Sequence, residues 1–283
     1  MSFESKLPQR LDKWLRDETR WPRRDIAQAI DAGRVAVNGG VLPADELVFG
    51  DDVVTVDGVR VTPAGPHEAA LFHKPAGMTV TVADPSGRED LSALMGALPP
   101  GCQPVGRLDR ETTGALLLTT DGELANALLK PVNRCPKVYR LTIAERCEVD
   151  DPRLAVLVAG VETALGVLRV ASVEAVRPGA CTTDVEVVLR EGKNRQLRRM
   201  CYAAGLRLTA LHRTVIGPLE LGGLPPGSWR KLTCHEVDRL WSAVGGRAQN
   251  RHRQVEALVR RALARRRRGH HSPRLERWLK GRG

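Results

Sequence analysis

Apolar residues recur along the first sixty positions in the pattern of two short helices and a small sheet. Leu11, Trp14 and Leu15 fall at i, i+3 and i+4, which places them on one face of a helix over residues 10–18. Pro22 suits the first turn of a second helix, whose inward face carries Ile26, Ala29 and Ile30 and which Gly33 stops. Residues 34–37 alternate like a strand, Asn38-Gly39 gives a tight turn, residues 53–56 form another strand, and Asp57-Gly58 turns again. Residues 61–67, with Pro, Gly and His, read as a linker.

Beyond the linker the pattern describes a larger domain over residues 68–245. Residues 70–72 form a short strand, and residues 88–98 suggest a helix ending at Pro99-Pro100. The run Ala115-Leu116-Leu117-Leu118 suits a buried strand, after which Asp121 caps a helix ending at Pro131. Residues 137–143 alternate with period two, so Lys137, Tyr139 and Leu141 share a face. Residues 155–161 are apolar and helical, residues 167–176 and 184–189 alternate, and residues 209–216 form a last strand. Residues 194–204 make an amphipathic helix for which Asn194 is the expected cap. Leu197, Met200, Cys201 and Ala204 lie on one side; Arg195, Arg198, Arg199 and Tyr202 fill an arc of roughly 100° on the other. The expected class is α+β: a small α/β domain over residues 8–60, then a domain with a mixed, mostly antiparallel sheet flanked by helices.

Charge alters this picture at one end. The formal net charge is +11, and residues 246–283 carry thirteen Lys and Arg against two Glu, so the rest of the chain is neutral in sum. Residues 246–283 are expected to be a basic, disordered arm. Any cationic surface elsewhere must come from segregating charge onto one face, and nucleic acid is the leading anionic partner. The six cysteines contain no CxxC pair and the histidines no ligand spacing, so no metal site is expected. The first ten residues have no apolar core of a signal peptide, and no apolar run approaches the ~20 residues of a membrane span. A cytoplasmic protein with reduced thiols and no membrane association is the expectation.

Two stretches carry candidate chemistry. Asp109, between Arg107 and Arg110, lies in a loop entering the buried run. A carboxylate beside cations keeps its charge and suits a nucleophile, although a structural ion pair has the same signature. The arginine face of residues 194–204 reads either as a solvated surface or as a phosphate-binding one.

The string GRLD, with Thr113-Gly114, the leucine run and Asp121-Gly122, resembles the active-site motif of the RNA pseudouridine synthases that include RsuA, RluB, RluE and RluF. HKPAGM at residues 73–78 is similar to the family's asparagine-lysine-proline-x-glycine segment, with His73 in place of asparagine; Lys137-Val138-Tyr139 resembles its lysine-x-tyrosine motif, and NRQLRRMC its third motif. GPLELGGLPPGSWRKLT resembles its closing segment, and residues 8–60 resemble an S4 RNA-binding domain. The resemblance implies that Asp109 is catalytic, that Arg198 pairs with it, and that Tyr139 and Leu197 flank a flipped uracil, where a stacked ring contributes about 1–3 kcal/mol. It further implies RNA contacts from Arg107, Arg195, Arg199, Lys74 and Lys137, and phosphate contacts from Arg10, Lys13, Arg23 and Arg24 of the S4-like domain. The implied substrate is ribosomal RNA, 23S favoured over 16S, free or in a pre-ribosomal particle. The implied protein is a monomer needing no cofactor or metal, and a non-catalytic ribosomal RNA-binding protein is the alternative.

Overall fold

The computed structural model describes residues 8–62, 64–247 and, beyond these, 249, 253, 256, 257 and 260. The expected disorder of the basic arm thus falls almost wholly outside the described residues. The chain divides between His67 and Glu68 into two compact units.

In the smaller unit the periodic apolar residues become a core. Helices Leu11–Thr19 and Arg23–Asp31 bury Leu11, Leu15, Ile26, Ala29 and Ile30 against Val35, Val37, Val54 and Val56. The four-stranded antiparallel sheet runs Gly40–Val41, Val35–Val37, Val54–Val56, Val59–Arg60. Its two turns place Asn38 and Gly39, and Asp57 and Gly58, at positive φ, as primed hairpin turns require. Pro22 stands one position before the second helix, and its carbonyl accepts from the amides of Asp25 and Ile26.

The larger unit is built on one sheet ordered Ser172–Pro178, Thr183–Leu189, Lys137–Ile143, Leu208–Ile216, Thr113–Thr119, Ala69–Lys74, Trp229–Lys231. Every neighbouring pair is antiparallel except Leu208–Ile216 with Thr113–Thr119. The leucine run is continuous because Thr113–Thr119 is covered on both faces. Ala115 and Leu117 pack with Leu124, Leu128, Leu240 and Trp241 from helices Gly122–Leu129 and Cys234–Ala243. Leu116 and Leu118 pack the other way, on Phe72, Leu91 and Cys102. Helices Pro152–Ala159 and Gln196–Ala203 cover the opposite half of the sheet, burying Leu154, Leu157, Leu197 and Met200 with Tyr139, Leu141 and Val187.

Three local expectations are corrected. Residues 88–98 contain only a single turn of helix, Ser92–Met95. Within this stretch the Asp90 carboxylate takes the Ser92 amide and the Thr81 carbonyl takes the Leu91 amide, in place of the helical bonds. Residues 167–176 are two strands: Gly166–Leu168 pairs with Val161–Thr163, and only Ser172–Pro178 joins the main sheet. The helix Gln196–Ala203 is preceded by Arg195 in a left-handed conformation, with no side-chain cap; Asn194 accepts instead from Arg199.

The parallel contact is narrow, with Thr113 opposite His212 and Gly114 opposite Arg213. Gly114 has φ +105, and a Cβ there would lie 2.7 Å from the Arg213 amide nitrogen and collide with its carbonyl. Gly114→Ala therefore strains the backbone and pushes apart the strands that bring the two halves of the sheet together. It should destabilise the protein by more than about 3 kcal/mol, read as a lowered denaturant midpoint. An unchanged midpoint would show that the two halves are joined otherwise.

Candidate active site

Asp109 lies in the loop between strands Gln103–Pro104 and Thr113–Thr119, and the loop is pinned from within. Leu108 is buried with Tyr139 and Leu197. The Thr112 amide donates to the Asp109 carbonyl at 3.0 Å. Beneath the loop, Lys74 is fully buried, and its Nζ donates to the carbonyls of Pro75, Arg110 and Thr112 at 2.7, 3.0 and 2.9 Å. Lys74 was expected to meet RNA. Its three donors are instead engaged by backbone oxygen out of reach of any phosphate, so it is a strut for the loop.

Burial lowers the Lys74 pKa to about 8, against the attraction of Glu111 and Asp109. An unfolded chain holds that proton up to the ordinary value of 10.5, so between these limits the unfolded state binds more protons and stability rises with pH. The slope is at most about 1.4 kcal/mol per pH unit. Lys74→Met should lack this slope, so the difference between the two proteins' unfolding free energies should change with pH above pH 8. Parallel curves for the two proteins would show that the ammonium is not desolvated.

The cations facing Asp109 come from the helix rather than from its sequence neighbours. Arg198 Nε stands 3.6 Å and Arg195 Nη1 4.0 Å from Asp109 Oδ2. Arg198 Nη2 donates to Thr112 Oγ1 at 3.3 Å, and its buried Nε has no hydrogen-bond partner. Arg110 instead donates to the Gly77 carbonyl and pairs with Glu111, while Arg107 is exposed on the cleft wall. Arg199 turns back to Asn194 and does not line the cleft. Of the arc of arginines, then, Arg195 and Arg198 converge on the carboxylate and Arg199 does not.

Tyr139 is 8 % exposed, on the floor strand Lys137–Ile143, and lines the cleft beside Asp109. Leu197, 3 % exposed, lines an adjoining recess with Asp109 and Tyr139. Lys137 is half-buried, donates to the Cys135 carbonyl at 3.1 Å, and also lines the cleft. The cleft has a volume of about 670 Å³ and is walled by nine Lys or Arg residues against the carboxylates Asp84, Asp109 and Glu191. With that imbalance it suits an anion of nucleotide size.

Sequence reasoning missed Arg213. It is 4 % exposed on Leu208–Ile216, donates from Nη1 to the Tyr139 hydroxyl at 3.3 Å, and donates from Nε to the Ala115 carbonyl at 2.7 Å. The only available signal was a lone arginine in an alternating strand, which gives no hint of direction. In the smaller unit Arg10 pairs with Asp12 and Lys13 with Asp17, whereas Arg23 and Arg24 are exposed in the first turn of their helix.

Residues 68–203 match the RNA pseudouridylate synthase family. An RNA pseudouridine synthase of Aquifex aeolicus is 36 % identical over 238 residues, covering 83 % of this chain and 95 % of that protein. The ribosomal large subunit pseudouridine synthase B of Bacillus subtilis is 34 % identical over 77 % of this chain and 89 % of its own length. The dual-specificity RNA pseudouridine synthase RluF of Salmonella typhi is 30 % identical, with 84 % and 80 % covered. A crystal structure of a pseudouridylate synthase superposes with a TM-score of 0.57 at 25 % identity, over 82 % of this chain and 99 % of that one.

Proposed function

The chain belongs to the RNA pseudouridine synthases, in the family that holds RsuA, RluB and RluF, and on that footing we propose that it isomerises a uridine of ribosomal RNA, of the 23S molecule, to pseudouridine with Asp109 as catalytic residue. The observation that carries the reading is the Asp109–Arg198 pair set against Tyr139 in a cationic cleft of nucleotide size.

A stacked uridine is out of reach of Asp109, so the nucleotide leaves its helix and enters the cleft. Arg107, exposed on the wall, takes the vacated place or holds the backbone. Tyr139 and Leu197 flank the base. Asp109, as nucleophile, forms a bond to the substrate as the N1–C1′ bond breaks; the base turns, a C5–C1′ bond forms and the bond to Asp109 breaks, which returns the carboxylate, while C5 loses its proton and N1 gains one. Atoms and electrons balance within the substrate. Arg198 fixes the carboxylate by charge and, through Thr112, ties it to the loop.

The smaller unit is an S4-like RNA-binding domain in this reading. Arg23 and Arg24 stand at a helix N-terminus, where their charge opposes the helix dipole until an RNA phosphate meets both. Phosphate contacts of this kind position the enzyme without reading sequence, and the basic arm adds salt-dependent affinity. The large subunit is favoured because the relative from Bacillus subtilis carries that name. The protein works as a monomer in the cytoplasm.

The test is incubation of the purified protein with 23S and 16S transcripts, followed by mapping of carbodiimide-resistant adducts. A new pseudouridine in 23S is expected. None in either transcript or in ribosomal particles would overturn the assignment, and one in 16S alone would overturn the substrate.

A further inference from the structure

Arg213 is a buried cation without a counter-ion. Its side chain forms no ion pair among the described residues, and its acceptors are the Tyr139 hydroxyl and the Ala115 carbonyl. Its Nη2 is buried with no hydrogen-bond partner. Another cation, Lys137, feels its field: burial and, less strongly, Arg213 push Lys137 below the ordinary lysine pKa. Lys137 Nζ donates to the Cys135 carbonyl. Two buried or half-buried positive charges on adjacent strands therefore line the same cleft, and neither forms an ion pair with a carboxylate among the described residues.

Such an arrangement costs stability in the free protein, because an unpaired buried charge and an unsatisfied donor are both unfavourable. A phosphate relieves both at once, since it presents the negative charge and the several acceptors that a guanidinium donor and an ammonium need. The guanidinium carbon lies 5.9 Å from the Tyr139 ring centroid and Nη1 donates to its hydroxyl, so an anion held there lies beside any base stacked on that ring.

We propose that Arg213 and Lys137 form a phosphate-binding subsite that takes a backbone phosphate of the nucleotide entering the cleft, and that Arg213 thereby couples phosphate binding to the placement of Tyr139. The inference rests on the reading of the cleft as the uridine site. A base carbonyl is the rival occupant for Nη2, and it makes no demand on Lys137.

Calorimetry with uridine and uridine 5′-monophosphate separates the two. The wild-type protein should prefer the monophosphate, and Arg213→Gln and Lys137→Met should each lose most of that preference, losing more affinity for the monophosphate than for uridine. Salt titration of a fluorescein-labelled oligouridylate should show the slope of log affinity against log salt falling by about 0.7 in either variant, the loss expected for one phosphate contact on a single strand. A merely structural role for Arg213 would weaken all ligands alike and leave that slope unchanged. If Arg213→Gln fails to fold, Lys137→Met and Arg213→Lys carry the test, the latter keeping the charge and most of the monophosphate preference. An unchanged preference and slope in Lys137→Met overturn the subsite. Loss of the monophosphate preference in a protein that makes no pseudouridine would uphold the subsite and overturn the enzymatic reading.

Discussion

Asp109→Asn should lower pseudouridine formation by at least about 10⁴-fold, roughly 5.4 kcal/mol of barrier, with the fold and the affinity for RNA intact. The substitution keeps the shape of the side chain and removes only its charge and nucleophilicity. The Asp109 side chain is 27 % exposed, and its cationic neighbours stand 3.6 and 4.0 Å away, so it is not the keystone of the loop. That task falls to the Leu108 side chain, the Thr112 amide and the Lys74 ammonium. Removing one of three carboxylates from a wall with nine cations should, if anything, tighten RNA binding. The measurement is single-turnover product formation alongside thermal melting and equilibrium RNA binding. Product at a few per cent of the wild-type rate would remove Asp109 from the chemistry.

Arg198→Ala should cost about 10²–10³-fold in turnover, with a smaller effect on RNA affinity. Arg198 is the more buried of the two guanidiniums beside Asp109, with 18 % of its side chain exposed against 52 % for Arg195. It also reaches Thr112 Oγ1, so it fixes the carboxylate to the loop as well as neutralising it. Its Nε has no acceptor and lies just beyond hydrogen-bonding range of Asp109, a gap expected to close when substrate excludes water from the cleft. Lysine should not rescue, because a single ammonium cannot hold both oxygens in the same planar geometry. Turnover equal to wild type in Arg198→Ala would break the proposed pairing, and a large loss of RNA affinity without loss of turnover would recast Arg198 as a phosphate ligand.

What could be read from the residues alone was whatever depends on near neighbours in the chain. The leucine run, the period-two alternation of residues 137–143, the cap Asp121, and the Asn38-Gly39 and Asp57-Gly58 turns all follow from local sterics and from which faces must be dry. Where a local cue misled, as over residues 88–98, the Asp90 carboxylate and the Thr81 carbonyl took the Ser92 and Leu91 amides that a helix would have used.

The destiny of each charged side chain was decided only in three dimensions. Arg110 and Arg198 look alike in the sequence, yet one bonds a loop carbonyl and the other faces the carboxylate. Lys74, expected to face RNA, and Arg213, for which the sequence offered no reading, are both buried, one bracing the catalytic loop and the other standing without an ion pair beside Tyr139. The cause is the sheet topology. The parallel step at Gly114 and Arg213 sets strands from distant parts of the chain side by side, and a charge is stabilised or left wanting by whatever that step brings within a few ångströms of it.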